Sequence, residues 1–231
     1  MVNTLEYDYD LFTRPLYSYA EADRLAGVPR STSNRWVKGY NYWNEFGERI
    51  TRPPMAAGPG GKTEGGVSFF DLISIKAIDG LRKRGFGARK IRDVVRYCQD
   101  ELGVDYPFVT LRFKTGRREV YMHAGDGRLL EILGGQQGAQ AWDQILDPFL
   151  RDLDYHNDFA HRWWPLGKDE LVMVDPEYGF GLPVIVGSGL RTELVSERRD
   201  AGDTPQVIAY DFNLSREQVE SALRLEDQLA A

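Results

Sequence analysis

At 231 residues, with 42% apolar and 12% aromatic side chains, the chain can hold one large domain or two to three small ones and can fill their cores, which excludes a disordered or fibrous class. It contains no run of about 18 apolar residues, and its first residues, MVNTLEYDYDLFTRP, are acidic where a secretion signal would be basic and then apolar, so no membrane partner is expected and the protein is placed in the cytoplasm. A net charge of −6 argues against a non-specific nucleic-acid coat. The charge is unevenly spread, however. Residues 14–103 hold 16 Lys/Arg against 10 Asp/Glu, while residues 104–231 hold 13 against 22, as expected of a protein with one polyanionic partner and one of another kind. The single cysteine, Cys98, rules out an intrachain disulfide framework, and His123, His156 and His161 make no zinc-ligand spacing with it, so no metal and no cofactor are expected.

Residues 1–15 form an N-terminal arm with Tyr7, Tyr9, Leu11 and Phe12 set between acids, suited to packing in extended form on its own chain or on a second copy. Residues 17–39, YSYAEADRLAGVPRSTSNRWVKG, then read as two short helices around a Gly-containing turn, the pattern of a helix-turn-helix. Ser18 and Glu21 make a capping-box pair, and Ala22, Leu25 and Ala26 give one apolar face that ends at Gly27. Pro29 is acceptable only in a first turn, so the second helix is expected to begin there and to stop at Gly39. Its exposed residues would be Arg30, Ser31, Thr32, Asn34, Arg35 and Lys38, short hydrogen-bonding groups and cations that suit base edges and phosphates. A helical hairpin that touches no DNA has the same spacing.

Residues 40–67 are rich in Gly and Pro, with Tyr40, Tyr42, Trp43 and Phe46 near the start, and are too long for an ordinary connection. Within them AAGPGGKT (56–63) formally satisfies a relaxed phosphate-loop pattern. A true phosphate loop follows a buried strand and opens directly into a helix, whereas here Arg52-Pro53-Pro54 precedes it and EGGVS follows. The segment is therefore expected to be a flexible β-wing, with Arg49, Arg52 and Lys62 available to the DNA backbone.

Ser68 is placed as an N-cap for a helix over 69–84 with Phe69, Leu72, Ile73, Ile75, Ala77, Ile78 and Leu81 at helical spacing, and Gly85 ends it. A further helix over 88–102 puts Ile91, Val94, Val95, Cys98 and Leu102 on one face and Arg89, Lys90, Arg92 and Arg96 on the other. The order helix, turn, helix, wing, helix pair over 16–103 resembles the DNA-binding domain of MerR-like regulators. Tyr19, Ala26-Gly27-Val28, Ser31-Thr32, Arg35-Trp36, Phe70-Asp71-Leu72 and Leu81-Arg82-x-x-Gly85-Phe86 carry the resemblance. It departs at Pro29, where such proteins have a Ser or Thr cap, and at Ser33-Asn34, which replace Leu-Arg.

Residues 104–165 form a central β-hairpin plus helix. Phe108, Val109, Leu111 and Phe113 lead into Lys114-Thr115-Gly116-Arg117, after which Val120 and Met122 alternate. A Gly/Gln-rich loop, GGQQGAQ, precedes Trp142, Ile145, Leu146, Phe149, Leu150 and Leu153 at helical spacing, with Pro148 either kinking that helix or starting a new one. The segment 88–102 or the hairpin is the expected interface of a homodimer. DFAHRWWP (158–165) reads as an aromatic connector to a C-terminal domain, 166–231.

In that domain a short strand-like run spans 171–174, and glycines bracket a second at 182–186. Thr192 is expected to cap a helix that ends at Ala201-Gly202, Thr204-Pro205 to open another through Tyr210, and Ser215 with Gln218 to cap the last. The final pair would be a second helix-turn-helix. From residue 190 onward five arginines face nine acids, and such a surface is repelled by phosphates, so this copy is expected to bind protein. The pattern D-P-x-x-x-F-G-x-P-V-I-x-G-S-G-L-R-T, followed by A-G-x-T-P-x-x-I-A-x-D-F-x-L-S-x-x-x-V-x-x-A-L, resembles a small domain of antitoxins encoded beside PIN-like ribonuclease toxins. The whole arrangement looks like a larger VapB-type antitoxin.

No local set of acid, base and nucleophile suggests an enzyme, and no catalytic residue is assigned. His156 and His161 are five apart, off one helical face. The expected fold is mainly α with a small β component (α+β): a MerR-like winged helix-turn-helix, the central hairpin and helix, and a small C-terminal helix-turn-helix. The resemblance implies an antitoxin of a type II system that binds its operator DNA as an autorepressor and neutralises a PIN-like ribonuclease toxin, with Tyr178, Phe180, Pro183, Arg191, Glu193 and Glu197 on the toxin-binding side. The alternative is a one-component MerR-like transcriptional regulator whose C-terminal region senses a ligand.

Overall fold

The computed structural model describes residues 9–58, 65–110, 132 and 135–230. The fold is α+β, with about 54% of the described residues helical and small antiparallel strand pairs among them. It divides into two compact units, Met1–Arg151 with Tyr155–Ala160, and Asp152–Asp154 with His161–Ala231.

In the first unit, Tyr9–Thr13 (α1) is helical rather than extended, and its buried Phe12 packs on Phe69 and Phe70 of the same chain at 5.9 and 5.8 Å between ring centroids. Tyr19–Ala26 (α2) opens with the expected capping box: the Ser18 Oγ accepts from the Glu21 N–H, and the Glu21 carboxylate accepts from the Ser18 N–H. It ends at Gly27 in the left-handed region (φ 66°), where Lys76 donates to the Ala26 carbonyl at 3.1 Å.

The second helix begins later than Pro29 suggested. Thr32–Lys38 (α3) follows Ser31, itself left-handed (φ 65°), and the Ser31 side chain makes no capping bond. The cap comes from α2. The Asp23 carboxylate, 5% exposed, accepts from the Ser31 N–H at 2.6 Å and from the Ser33 N–H at 2.8 Å. Pro29 lies in the turn because its ring removes a donor from a segment in which Asp23 already satisfies the first free N–H groups.

Gly39 (φ 73°) turns the chain straight from α3 into the wing, and a Cβ there would stand 2.4 Å from the Arg52 carbonyl oxygen. The wing is the antiparallel pair Tyr40–Trp43 (β1) and Arg49–Arg52 (β2), in register Tyr40↔Arg52 to Trp43↔Arg49. It is shorter than the Gly/Pro-rich segment that had been assigned to it. After Arg52 the chain returns to the core: Met55, Ala56 and Ala57 are buried, and the Met55 and Ala56 N–H groups donate to the Trp36 carbonyl.

Phe69–Lys83 (α4) carries a fully formed Ser68/Asp71 capping box, and Ala88–Leu102 (α5) follows. Phe70 is the hub of this unit. It is fully buried and meets Tyr9, Phe12, Tyr106 and Phe159 at 5.3 to 5.8 Å. The expected hairpin of 105–123 falls mostly outside the described residues; within them, Pro107–Val109 is a 3-10 turn and not a strand. The Gly/Gln-rich segment is not a loop either. It is part of one helix, Gly135–Arg151 (α6), which retains Pro148 near its C-terminal end.

The aromatic connector is likewise structured: Leu153–His156 (β3) and Phe159–Trp163 (β4) form a two-stranded hairpin turned by left-handed Asn157 and Asp158. In the second unit, Val172–Met173 (β5) pairs with Val184–Ile185 (β6), and Thr192–Asp200 (α7), Pro205–Asp211 (α8) and Arg216–Ala230 (α9) enclose Ile185, Val195, Ile208, Leu214, Val219 and Ala222. Thr204 caps α8, and Ser215 with Gln218 makes both halves of a capping box before α9. Thr192 is not a cap. It is the first residue of α7, and its buried hydroxyl donates to the Glu226 carboxylate at 2.5 Å.

Removal of the Asp23 carboxylate should leave two backbone donors unsatisfied at a buried helix end. Asp23→Ala is expected to lower unfolding free energy by about 2–3 kcal/mol in urea titrations, whereas Ser31→Gly, which suits a left-handed position, is expected to change it by less than about 1 kcal/mol. Equal losses for the two variants would refute the assignment of the cap to Asp23.

Candidate nucleic-acid interface

Once Asp23 has fixed the start of α3, the helix has a defined outer side. Arg30, Ser31, Asn34, Arg35 and Lys38 are exposed. Thr32 is not: it is 4% exposed and inside the helix pair, which removes it from the set expected to face DNA. Arg35 Nε donates to the Ser31 carbonyl at 3.3 Å, and the Lys38 ammonium sits 4.9 Å from the centre of the Tyr19 ring, so both cations are steered by their own unit.

Arg49 and Arg52 lie exposed on β2, and Lys62 is outside the described residues. Arg52 donates to the Tyr42 hydroxyl at 2.9 Å and stacks over that ring. The tip of the wing is set by Asn44, whose side-chain oxygen accepts from the Phe46 and Glu48 N–H groups. It presents Trp43 and Phe46, 71% and 80% exposed. Among the described residues no carboxylate forms an ion pair with Arg30, Arg35, Lys38, Arg49 or Arg52.

Sequence periodicity had put Arg92 and Arg96 on the polar face of α5 without connecting them to this surface. A groove of about 450 Å³ joins them to Lys38, Pro53 and Pro54. Arg92 Nε donates to the Pro53 carbonyl at 3.1 Å. Burial lowers the pKa of its guanidinium, Tyr40 raises it in part, and Arg52 lowers it again; Asp100 also lines the groove, so three cations there face one carboxylate. No periodic signal marks this groove, because it forms only when the wing returns the chain to α5.

The second helix-turn-helix, α8 and α9, has the opposite electrostatics. Every arginine from residue 190 onward is held by a carboxylate: Arg191 by Glu193, Arg198 by Asp203 and Asp211, Arg199 by Asp200 and Asp227, Arg216 by Glu220, and Arg224 by Glu170. Hydrogen bonds from Ser221 and then Arg224 hold the Glu170 carboxyl below its usual range. Among the residues expected to meet a toxin, Tyr178 and Phe180 are exposed, Glu197 is exposed, and Arg191 and Glu193 pair at 2.9 Å. Pro183 is buried and its carbonyl accepts from the Thr192 N–H, so it supports the surface without being part of it.

Residues 15–95 match a family described as "Putative DNA-binding HTH domain". Residues 172–225 match one described as "Protein of unknown function (DUF433)". The chain is 25% identical over 241 aligned positions to a Mycobacterium tuberculosis protein named "Putative antitoxin VapB45", covering 98% of both chains. It is also 23% identical to "Uncharacterized protein Rv2308" of the same organism, over 92% of this chain and 90% of that protein. The crystal structure of Rv2018 from M. tuberculosis shares the fold, with a TM-score of 0.65 at 23% identity, over 92% of this chain and 99% of that one. The chain thus carries an N-terminal helix-turn-helix of DNA-binding type, with the winged surface described above. No helix among the described residues is long and apolar enough to cross a membrane.

Since the arginines of the tail are already held by carboxylates, Arg216→Ala with Arg224→Ala is expected to leave DNA affinity and its salt dependence unchanged in fluorescence-anisotropy titrations. A slope reduced by about one unit per arginine would mean that the tail touches phosphates.

Proposed function

We propose that the chain is the antitoxin of a type II toxin-antitoxin system, one that binds its own operator through the winged helix-turn-helix as an autorepressor and restrains a PIN-like ribonuclease toxin through its C-terminal unit. The observation that carries this reading is the unequal pairing of charge. Arg30, Arg35, Lys38, Arg49 and Arg52 of the head form no ion pair with a described carboxylate, whereas the tail holds all five of its late arginines in internal ion pairs and keeps acids in excess. Phosphate binding needs the first arrangement, and the basic RNA-binding rim of a nuclease suits the second. The full-length similarity to a protein named as an antitoxin supports the same division of labour.

In this reading the side chains that approach DNA are Arg30, Ser31, Asn34, Arg35 and Lys38 on α3 and its approach, Arg49 and Arg52 on the wing, and Lys62 beyond it. Two copies would occupy two half-sites, as helix-turn-helix proteins do. The protein acts by binding and has no catalytic role, and it works in the cytoplasm, where its DNA and its toxin are both accessible.

The test uses the DNA upstream of the chain's own reading frame and the purified product of the adjacent frame. Arg30→Ala with Arg35→Ala is expected to weaken DNA binding at least tenfold and to flatten the log K against log salt plot by about two units, since each lost phosphate contact removes about one. The same variant should still inhibit RNA cleavage by the adjacent-frame product. If DNA binding and its slope survive both substitutions, the operator reading is wrong; if wild-type protein does not inhibit cleavage, the antitoxin reading is wrong.

A further inference from the structure

The turn that follows β5 in the second unit holds three consecutive residues in the left-handed region: Gly179 (φ 56°), Phe180 (φ 59°) and Gly181 (φ 77°). Glycine adopts that conformation freely, but a bulky aromatic residue does so only under constraint. The constraint is visible. The Tyr178 N–H donates to the Asp175 carbonyl at 2.9 Å, the Gly181 N–H to the Tyr178 carbonyl at 2.9 Å, and the Leu182 N–H to the Gly179 carbonyl at 3.2 Å.

Beneath the turn, Gly179 is so close to β6 that a Cβ would lie 2.4 Å from Val184 Cγ1. Asp175, fully buried, is gripped by Arg162 at 2.9 Å and accepts from the Glu177 N–H at 2.9 Å. The fold thus spends stability to hold the backbone of Phe180 in an unfavourable state, and gains no burial in return, because the ring is 86% exposed. Tyr178 beside it is 48% exposed. A single exposed aromatic residue is ordinary; one held out on a strained turn pinned by three backbone hydrogen bonds is not, and backbone strain of this kind collects where a surface must be pre-organised for a contact.

We propose that Phe180 is a peg that enters an apolar socket on a protein partner with a basic rim, with Tyr178 lying along the edge of that socket. The chemistry of the rim follows from the surroundings. Glu177 is exposed next to the peg, and Arg191, whose Cγ would be 3.8 Å from a Cβ on Gly179, is neutralised by Glu193 at 2.9 Å. With Arg191 balanced by Glu193, the charge left beside the peg is that of Glu177, which no described cation pairs and which an anionic membrane or a second copy presenting the same face would oppose. The inference rests on the reading of the tail as toxin-binding, and adds to it a single aromatic anchor and the character of the opposing surface.

The experiment measures affinity between the full chain and the purified product of the adjacent reading frame by calorimetry, together with the thermal midpoint of the full chain alone. Phe180→Gly keeps the turn and relieves its strain. It is expected to weaken the complex about 30-fold or more, the scale of an interface hot spot, while the midpoint stays at or above that of the wild type. Tyr210→Ala, at an equally exposed aromatic on α8, is expected to bind within about twofold of wild type, the small change usual outside a hot spot. Wild-type affinity in Phe180→Gly overturns the peg and leaves the toxin reading standing, whereas no binding by wild type removes both. A midpoint lowered by several degrees makes Phe180 a structural residue and also overturns the proposal. So does a loss of self-association by light scattering with partner affinity intact, which would make a second copy the occupant.

Discussion

The bond pair from Asp23 to the Ser31 and Ser33 N–H groups is the constraint on which the head depends. It ties the start of α3 to the preceding helix, ten residues back in sequence, and so fixes both the angle of the helix pair and the side of α3 that faces out. Ser33 and Thr32 turn inward as a result, and Arg30, Asn34 and Arg35 turn outward. The same bond pair has an electrostatic consequence. A buried carboxylate occupies the N-terminus of α3, so that helix end cannot serve as an anion site. A phosphate approaching this face would meet side chains instead, and Gly39 starts the wing that carries Arg49 and Arg52 within one residue of the end of α3.

The two helix-turn-helix units share a local architecture and differ in how they satisfy it. The second is capped from within, by Ser215 and Gln218 one turn apart, and needs no side chain from the helix before it. Its ion pairs are mostly between partly exposed groups, and such pairs contribute little stability, about 0–1 kcal/mol each. Their larger effect is on what the surface can bind. A guanidinium held by two carboxylates, as Arg198 is by Asp203 and Asp211, has its charge already balanced and offers a phosphate little attraction.

Local signals were legible in the sequence and long-range ones were not. The capping boxes at Ser18/Glu21 and Ser215/Gln218, the Thr204-Pro205 helix start and the N-cap at Ser68 all depend on groups within three residues of each other, and each stands where its spacing put it. The Asp23 cap acts across eight and ten residues, so Pro29 drew the helix start three residues too early. Composition misled in three places. Gly and Gln in residues 135–140 suggested a loop where helix α6 runs on, the aromatic run at 158–165 hid β4, and the Gly/Pro-rich segment after the wing hid Met55, Ala56 and Ala57, which pack in the core. In each case packing overrode local preference. The exposed cations of the candidate DNA surface were legible because polar residues at helical spacing point outward by default, whereas Thr32 and Pro183 were misplaced because their burial is decided by neighbours distant in sequence.

The phosphate-loop pattern at 56–63 shows how packing decides between two readings of one string. Ala56 and Ala57 are buried, and a Cβ on Gly58 would stand 2.7 Å from the Tyr106 ring. Tyr106 itself is 8% exposed, and burial, with the charge of Asp71 nearby, pushes its hydroxyl pKa up. A phosphate cradle requires backbone N–H groups open to solvent at the start of a helix. Here Ala56 and Ala57 are buried, Gly58 abuts the Tyr106 ring, and Gln99 of α5 already donates to the Ala57 carbonyl at 3.3 Å. The glycine at 58 is needed for close approach to a ring, not to a ligand, and the segment serves to return the chain from the wing to α5, where it forms one wall of the groove lined by Lys38, Arg92, Arg96 and Asp100.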